Sequence, residues 1–135
     1  MTKFRNDWVK VADFLIIGII APKPNGSTPI ILAAYRGHVK IVEFLAPLVD
    51  NPNAPKPDGW TPLHLAARYG HVKIIEFLAP LVDKPNAPKP NGWTPLQLAV
   101  EGGHSEVVIT LFKILSQKIP LNEHILKHLL NTLRR

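Results

Sequence analysis

The chain contains no cysteine among its 135 residues, only one methionine, and an aromatic content of 7%. Disulfide bonds and thiolate-bound metals are therefore excluded, and cysteine usage gives no indication of the redox compartment. Acidic residues are fewer than basic ones, 10 against 16, so the formal net charge is +6. This excess favours acidic partners through long-range attraction, but it carries no information about the fold.

Long hydrophobic runs are scarce as well. The most apolar segment, Phe14–Ala21, is too short to span a bilayer, although it follows basic residues and resembles the apolar part of a secretion signal. The alternative is a half repeat, because two blocks within residues 9–25 parallel two blocks within residues 39–58. We favour the half repeat, and we expect an intracellular protein, located in the cytoplasm or the nucleus and not in a membrane.

The dominant feature of the sequence is an internal repeat. Residues 26–58 and 59–91 are identical at 25 of 33 positions, and a third copy opens at Gly92. A fixed period of this length predicts units that stack on one another, because no unit can bury its apolar face alone. We therefore predict one domain over 1–135, made of a degenerate half repeat (1–25), three repeats (26–58, 59–91 and 92–120) and a capping helix (121–135).

Each copy predicts two helices and a loop. In the second copy Thr61–Pro62 is a helix start, because threonine caps orphan amides and proline lacks the amide that would be unsatisfied. Gly70 is predicted to end this helix. An apolar stripe from about His71 predicts the second helix, which Pro80 should end near the preceding residue. The proline-rich segment 83–91 then predicts an extended loop or hairpin.

The C-terminal copy departs from this pattern. Lys113 replaces the proline of the earlier copies, so the second helix is predicted to continue to about Ser116. Pro120 then breaks the chain, and Asn122 is a suitable cap for a last helix. We interpret that helix as a lid on the final repeat; docking to a partner is the alternative.

The second copy carries a family signature. The ankyrin-repeat pattern is Gly-x-Thr-Pro-Leu-His-x-Ala, followed a few residues later by Gly-His. This copy contains the pattern at Gly59, Thr61, Pro62, Leu63, His64, Ala66, Gly70 and His71. The chain therefore resembles ankyrin-repeat proteins over residues 26 to about 115. The resemblance implies an all-α solenoid of stacked helix-turn-helix units with projecting β-hairpin loops. It also implies a non-enzymatic module that binds a partner protein through its concave face and loop tips.

Positions that differ between otherwise matching copies are the candidates for partner binding, because stacking dictates the positions that repeat. In the resembled family such positions line the concave face, and Tyr, Trp and Arg are typical of residues that dominate binding energy. Variation without function is the alternative. The candidate residues are Ser27, Tyr35, Arg36, Asp58, Trp60, Arg68, Tyr69, Asn91, Trp93 and Glu101.

The two tryptophans have a structural interpretation too. Each precedes a capping threonine, so Trp60 is predicted to pack on Leu65 and Trp93 on Leu98 as hydrophobic staples. A staple and a partner contact are compatible at the same side chain.

A lysine recurs at one loop position of each copy, at Lys23, Lys56 and Lys89. We interpret the three as a row of positive charge beside the binding face, where it could select an acidic protein surface. Nucleic acid is not the expected partner, because no aromatic and basic platform or known binding motif accompanies these lysines.

The sequence contains no convincing chemical site. His38, His71 and His104 recur with the repeat, which indicates structural hydrogen bonding, and no acidic ligands accompany His64 at helical spacing. We therefore expect no catalytic residue, no metal, no cofactor and no small-molecule substrate. The alternative to a partner-binding module is an engineered or duplicated repeat scaffold with no dedicated partner, suggested by the near-identity of two copies.

Overall fold

In a computed structural model of the chain, residues 26–118 and 123–133 are described. Three helix pairs follow one another, and a further helix comes after them. The helices are α1 (Pro29–Arg36) and α2 (Val39–Leu45), α3 (Pro62–Tyr69) and α4 (Val72–Leu78), α5 (Pro95–Glu101) and α6 (Ser105–Lys118), and finally α7 (Glu123–Leu133). The half repeat predicted for residues 1–25 and the predicted Asn122 cap lie outside the described residues. The role of α7 as a lid stays a prediction.

The first helix of each pair begins as the sequence predicts. Thr28, Thr61 and Thr94 each accept a hydrogen bond from the backbone amide of the third helical residue, and a proline follows each of them. Gly37 and Gly70 end α1 and α3 in the left-handed conformation, with φ of 83° and 77°. These caps satisfy backbone groups that the helices leave without internal partners.

The second helices are short where proline follows them. Helix α4 ends at Leu78, and the chain continues as the 3-10 turn Ala79–Leu81, which contains Pro80. The same arrangement follows α2. Helix α6 has Lys113 in place of the proline and continues to Lys118, two residues beyond the predicted end. The predicted effect of the proline on helix length is confirmed.

The core runs through the stack as one continuous cluster. First helices pack on first helices, second helices pack on second helices, and the two helices of each pair pack on each other. Ala34, Ala66 and Ala67 are fully buried on the first helices, where their small side chains permit close approach, and Ile74 and Ile75 fill the layer beneath. The predicted all-α stack with a shared apolar core is confirmed.

Turns form the loops between the repeats. The Lys56 amide donates to the Trp60 carbonyl, and the Gly59 amide donates to the Lys56 carbonyl, each at 2.8 Å. The Asn53 side chain accepts from the Leu63 amide at 2.9 Å and fastens the loop to the next helix. Residues 26–118 and 123–133 include no β-strand, so the predicted β-hairpins are not shown. Within the same ranges, no helix is both long enough and apolar enough to cross a membrane.

Candidate functional site

One groove collects half of the candidate residues. Ser27, Tyr35, Asp58, Trp60 and Tyr69 line a cavity of about 390 Å³ between the first and second repeats, together with Ile31, Leu32, Leu65 and Lys56. We call the cavity lined by these nine residues the inter-repeat groove. It lies on the layer of first helices, and the tips of the loops form part of its wall.

Two tyrosines from different repeats meet in this groove. Tyr35 occupies the position that Arg68 occupies one repeat later, and Tyr69 occupies the position of Arg36 one repeat earlier. The ring centroids lie 4.9 Å apart with the planes inclined by 73°, an edge-to-face arrangement that aromatic pairs favour. Tyr35 and Tyr69 are nevertheless 47% and 46% exposed. The pair is therefore held in position and still accessible to a partner.

The polar groups at the loop tips stabilise the loops. Asp58 Oδ1 accepts from the Trp60 amide at 3.1 Å, and Oδ2 lies 3.4 Å from Lys56 Nζ. One repeat later, Asn91 Oδ1 accepts from the Trp93 amide at 3.1 Å. Side chains that bond their own backbone two residues on are typical of turns. Asp58 and Asn91 therefore have a structural role whether or not a partner contacts them.

Lys89 contradicts the predicted row of free positive charges. Its Nζ lies 3.6 Å from the centroid of the Trp60 ring, and the residue is only 8% exposed. A cation over an aromatic face is attracted by the negative face of the ring. Lys56, at the same position one repeat earlier, has Ser27 where Lys89 has Trp60, and it uses the ion pair described above. Lys23 lies outside the described residues.

The staple interpretation of the tryptophans stays a prediction. The Trp60 ring is inclined by 78° to that of His64, with centroids 6.4 Å apart, and Trp60 lines the same groove as Leu65. Trp93 is 39% exposed and belongs to the third repeat, outside the inter-repeat groove.

Two of the recurring histidines join consecutive repeats. His71 Nε2 donates to the Tyr35 carbonyl at 2.9 Å, and His104 Nε2 donates to the Arg68 carbonyl at 3.0 Å. Each imidazole thus bonds to the end of the first helix of the preceding repeat. The predicted structural role of these two histidines is confirmed.

His64 is a buried, neutral histidine. It is 3% exposed, and its Nδ1 lies 2.7 Å from the hydroxyl oxygen of Thr61. Burial lowers the pKa of His64 from 6.5 to about 4; the backbone carbonyls of Trp93 and Ala87 oppose this shift, and the positive charge of Lys89 adds to it. Its Nε2 has no hydrogen-bond partner in the described part of the chain. Such an imidazole is uncharged at neutral pH.

The other candidate residues do not line the groove. Arg36 and Arg68 lie in the last turns of α1 and α3, are exposed, and make no ion pair within the described ranges. Glu101, in the last turn of α5, is exposed at the position equivalent to Tyr35. Among the described residues no group of three or more His, Asp or Glu side chains is placed to hold a metal ion.

The sequence interpretation missed the apolar floor of the groove. Leu32 and Leu65 occupy equivalent positions in two copies, so the repeat pattern indicates stacking and not binding at these positions. Ile31 carried a signal, because it replaces the signature histidine of the second copy. A side chain that repeats can both pack between helices and line a surface cavity.

Comparisons with known proteins agree with the architecture. The family model described as ankyrin repeats (3 copies) matches residues 4–87 and, in a second and overlapping match, residues 47–123. The two matches together cover most of the chain. No curated protein matches it significantly.

Proposed function

Because the chain belongs to the ankyrin-repeat family, whose repeats are generally protein–protein interaction modules, we propose that it binds a partner protein through the inter-repeat groove. One observation carries the proposal: five of the ten residues selected for differing between copies line this single groove. The groove lies on the layer of first helices, and we infer that this layer forms the concave face of the stack. Binding, and no reaction, is the proposed activity.

The groove contains aromatic side chains, the type of residue that contributes most to binding energy at many protein interfaces. Aromatic side chains at well-packed, partly enclosed positions dominate the binding energy of many interfaces. Here Tyr35 and Tyr69 support each other edge to face, and Lys89 covers one face of Trp60. Side chains that are already ordered lose little conformational entropy when a partner binds, so less of the interaction energy is lost to ordering.

The proposal is tested with a variant that removes the two tyrosine rings of the groove and a control variant that removes two exposed aromatic rings elsewhere. Tyr35→Ala with Tyr69→Ala alters the groove, whereas Phe44→Ala with Phe112→Ala removes two exposed aromatics from the second helices, where they are 62% and 61% exposed. Trp60 is left unchanged, because its removal would leave the Lys89 ammonium buried without its aromatic partner.

The parent chain, the groove variant and the control are immobilised in parallel, and proteins captured from an extract of the source cells are compared. Proteins that bind the parent and the control should bind the groove variant at least about tenfold more weakly, because removing a hot-spot side chain costs more than about 1 kcal/mol of binding energy. Matching thermal melts establish that all three are folded. Equal capture by the groove variant would refute the proposed face, and no specific capture by any form would favour the scaffold without a partner.

A further inference from the structure

The inter-repeat groove offers an apolar floor of limited size. Ile31 and Leu65 are 2% and 8% exposed at its base, and Tyr35 and Tyr69 stand above them. A volume of about 390 Å³ lies near the lower end of the range for small-ligand sites, about 300 to 1,000 Å³. A cavity of this size accommodates a large side chain of a partner, and not a folded element.

The charged groups inside the groove are already engaged. Asp58 accepts the Trp60 amide through one carboxylate oxygen and faces Lys56 Nζ with the other. The ion pair neutralises both charges locally, so neither side chain selects a partner of one sign. Lys89 is buried against Trp60 and is not available at the surface either.

Two exposed arginines are sequence neighbours of the groove tyrosines, Arg36 after Tyr35 and Arg68 before Tyr69. Because Tyr35 is equivalent to Arg68 and Arg36 is equivalent to Tyr69, the four residues occupy the same two positions near the ends of two neighbouring first helices. The rings of the two tyrosines meet across these helices. Both arginines are exposed, and neither makes an ion pair with another described residue.

Building on the proposed function, we propose that the partner presents a short segment in which one large apolar side chain is flanked by aspartate or glutamate. The apolar side chain enters the inter-repeat groove beside Tyr35 and Tyr69, and the flanking carboxylates contact Arg36 and Arg68. The planar guanidinium donates two parallel hydrogen bonds to a carboxylate, which suits arginine to this contact. Rim charges of this kind determine mainly partner choice and association rate.

The experiment uses a displayed library of short random peptides, selected on the full chain. The enriched peptides are expected to share a Leu, Phe, Met or Trp with acidic residues within a few positions on both sides. Their affinities are then measured by fluorescence anisotropy on the parent and on Arg36→Gln with Arg68→Gln. We expect the dissociation constant to rise about three- to thirtyfold, as two exposed ion pairs would produce.

A second charge variant controls for the overall net charge. Lys40→Gln with Lys113→Gln removes the same total charge from exposed positions of the second helices, and its dissociation constant is expected to change less than about twofold, since screening weakens distant charges. Raising the salt concentration should also weaken binding to the parent more than binding to the arginine variant. An equal effect of the two charge variants would overturn the proposed contact with Arg36 and Arg68.

The peptide selection separates this inference from the proposed function. Enriched peptides with neutral or basic flanks that still depend on Tyr35 and Tyr69 would overturn the acidic segment while supporting the groove as a binding site. Peptides that bind independently of both tyrosines would count against the groove as well. If no peptide is enriched, the inference that the partner binds through a short segment is refuted. The groove as a binding site would still be tested independently, because the capture experiment uses whole proteins.

Discussion

Replacing Gly70 with alanine should destabilise the chain more than the same replacement at Gly103, one repeat later. Both glycines have left-handed backbone, with φ of +77° and +72°. An alanine in this conformation costs about 1 to 2 kcal/mol, and the loss of glycine's freedom in the unfolded chain is the same at both sites. The local backbone cost therefore cancels in the comparison.

The two sites differ in what the added methyl group would meet. At Gly70 a Cβ would lie 2.5 Å from Nδ1 of His104, whereas at Gly103 no described atom lies within 4 Å of it. His104 would have to move and would lose its 3.0 Å hydrogen bond to the Arg68 carbonyl. One net hydrogen bond and some misplaced packing correspond to roughly 1 to 3 kcal/mol of additional destabilisation.

Urea denaturation measures the free energy of unfolding of both variants, and unchanged m-values would show that the comparison is valid. A double-mutant cycle isolates the cause. In a His104→Ala background, Gly70→Ala should cost no more than Gly103→Ala, because the imidazole that the methyl group displaces is gone. Equal losses at the two glycines, or a Gly70→Ala loss that persists without His104, would refute the role assigned to this contact between repeats.

Three further predictions concern the second repeat and the loop that precedes it. Because the pKa of His64 is about 4 in the folded chain and 6.5 ordinarily, the unfolded chain takes up the proton first as pH falls. The free energy of unfolding should therefore fall by roughly 3 kcal/mol between about pH 6.5 and 4, and His64→Gln should remove this part of the pH dependence. Asn53→Ala leaves the Leu63 amide without its acceptor and should cost roughly 1 to 2 kcal/mol in urea denaturation, against less than about 0.5 for the exposed Asn51→Ala. Lys89→Met should raise the pKa of His64 in an NMR titration, because the lysine charge lowers it, and an unchanged pKa would contradict this effect of the lysine charge.

Much of the fold could be predicted because local signals determine it. A threonine before a proline begins each first helix, a glycine ends it, and a proline shortens the second helix. Each signal acts within a few residues through hydrogen bonds or steric exclusion. The loop geometry was less predictable, because it depends on contacts such as the one between Asn53 and the Leu63 amide, ten residues apart.

The candidate site was predictable only in part, because it depends on which side chains meet across repeats. Copy-to-copy differences identified Tyr35 and Tyr69, but their contact follows from the stacking of α1 on α3. The sequence predicts that the loop lysine Lys89 contributes to a row of surface charge, because lysines are rarely buried. Its burial involves a contact with Trp60, which lies 29 positions away at the other end of the same repeat, so local sequence signals do not reveal it.

The contacts of the loop lysine differ between two otherwise similar repeats. Lys56 and Lys89 occupy equivalent positions, yet the first pairs with a carboxylate and the second covers a tryptophan, because Trp60 replaces Ser27 and Asn91 replaces Asp58. Substitutions at the start and the end of a repeat therefore change the role of an unchanged lysine within the same repeat. The contact between Tyr35 and Tyr69, in contrast, forms only where α1 of one repeat packs on α3 of the next. The arrangement of the candidate site therefore depends on contacts within a repeat and on contacts between repeats.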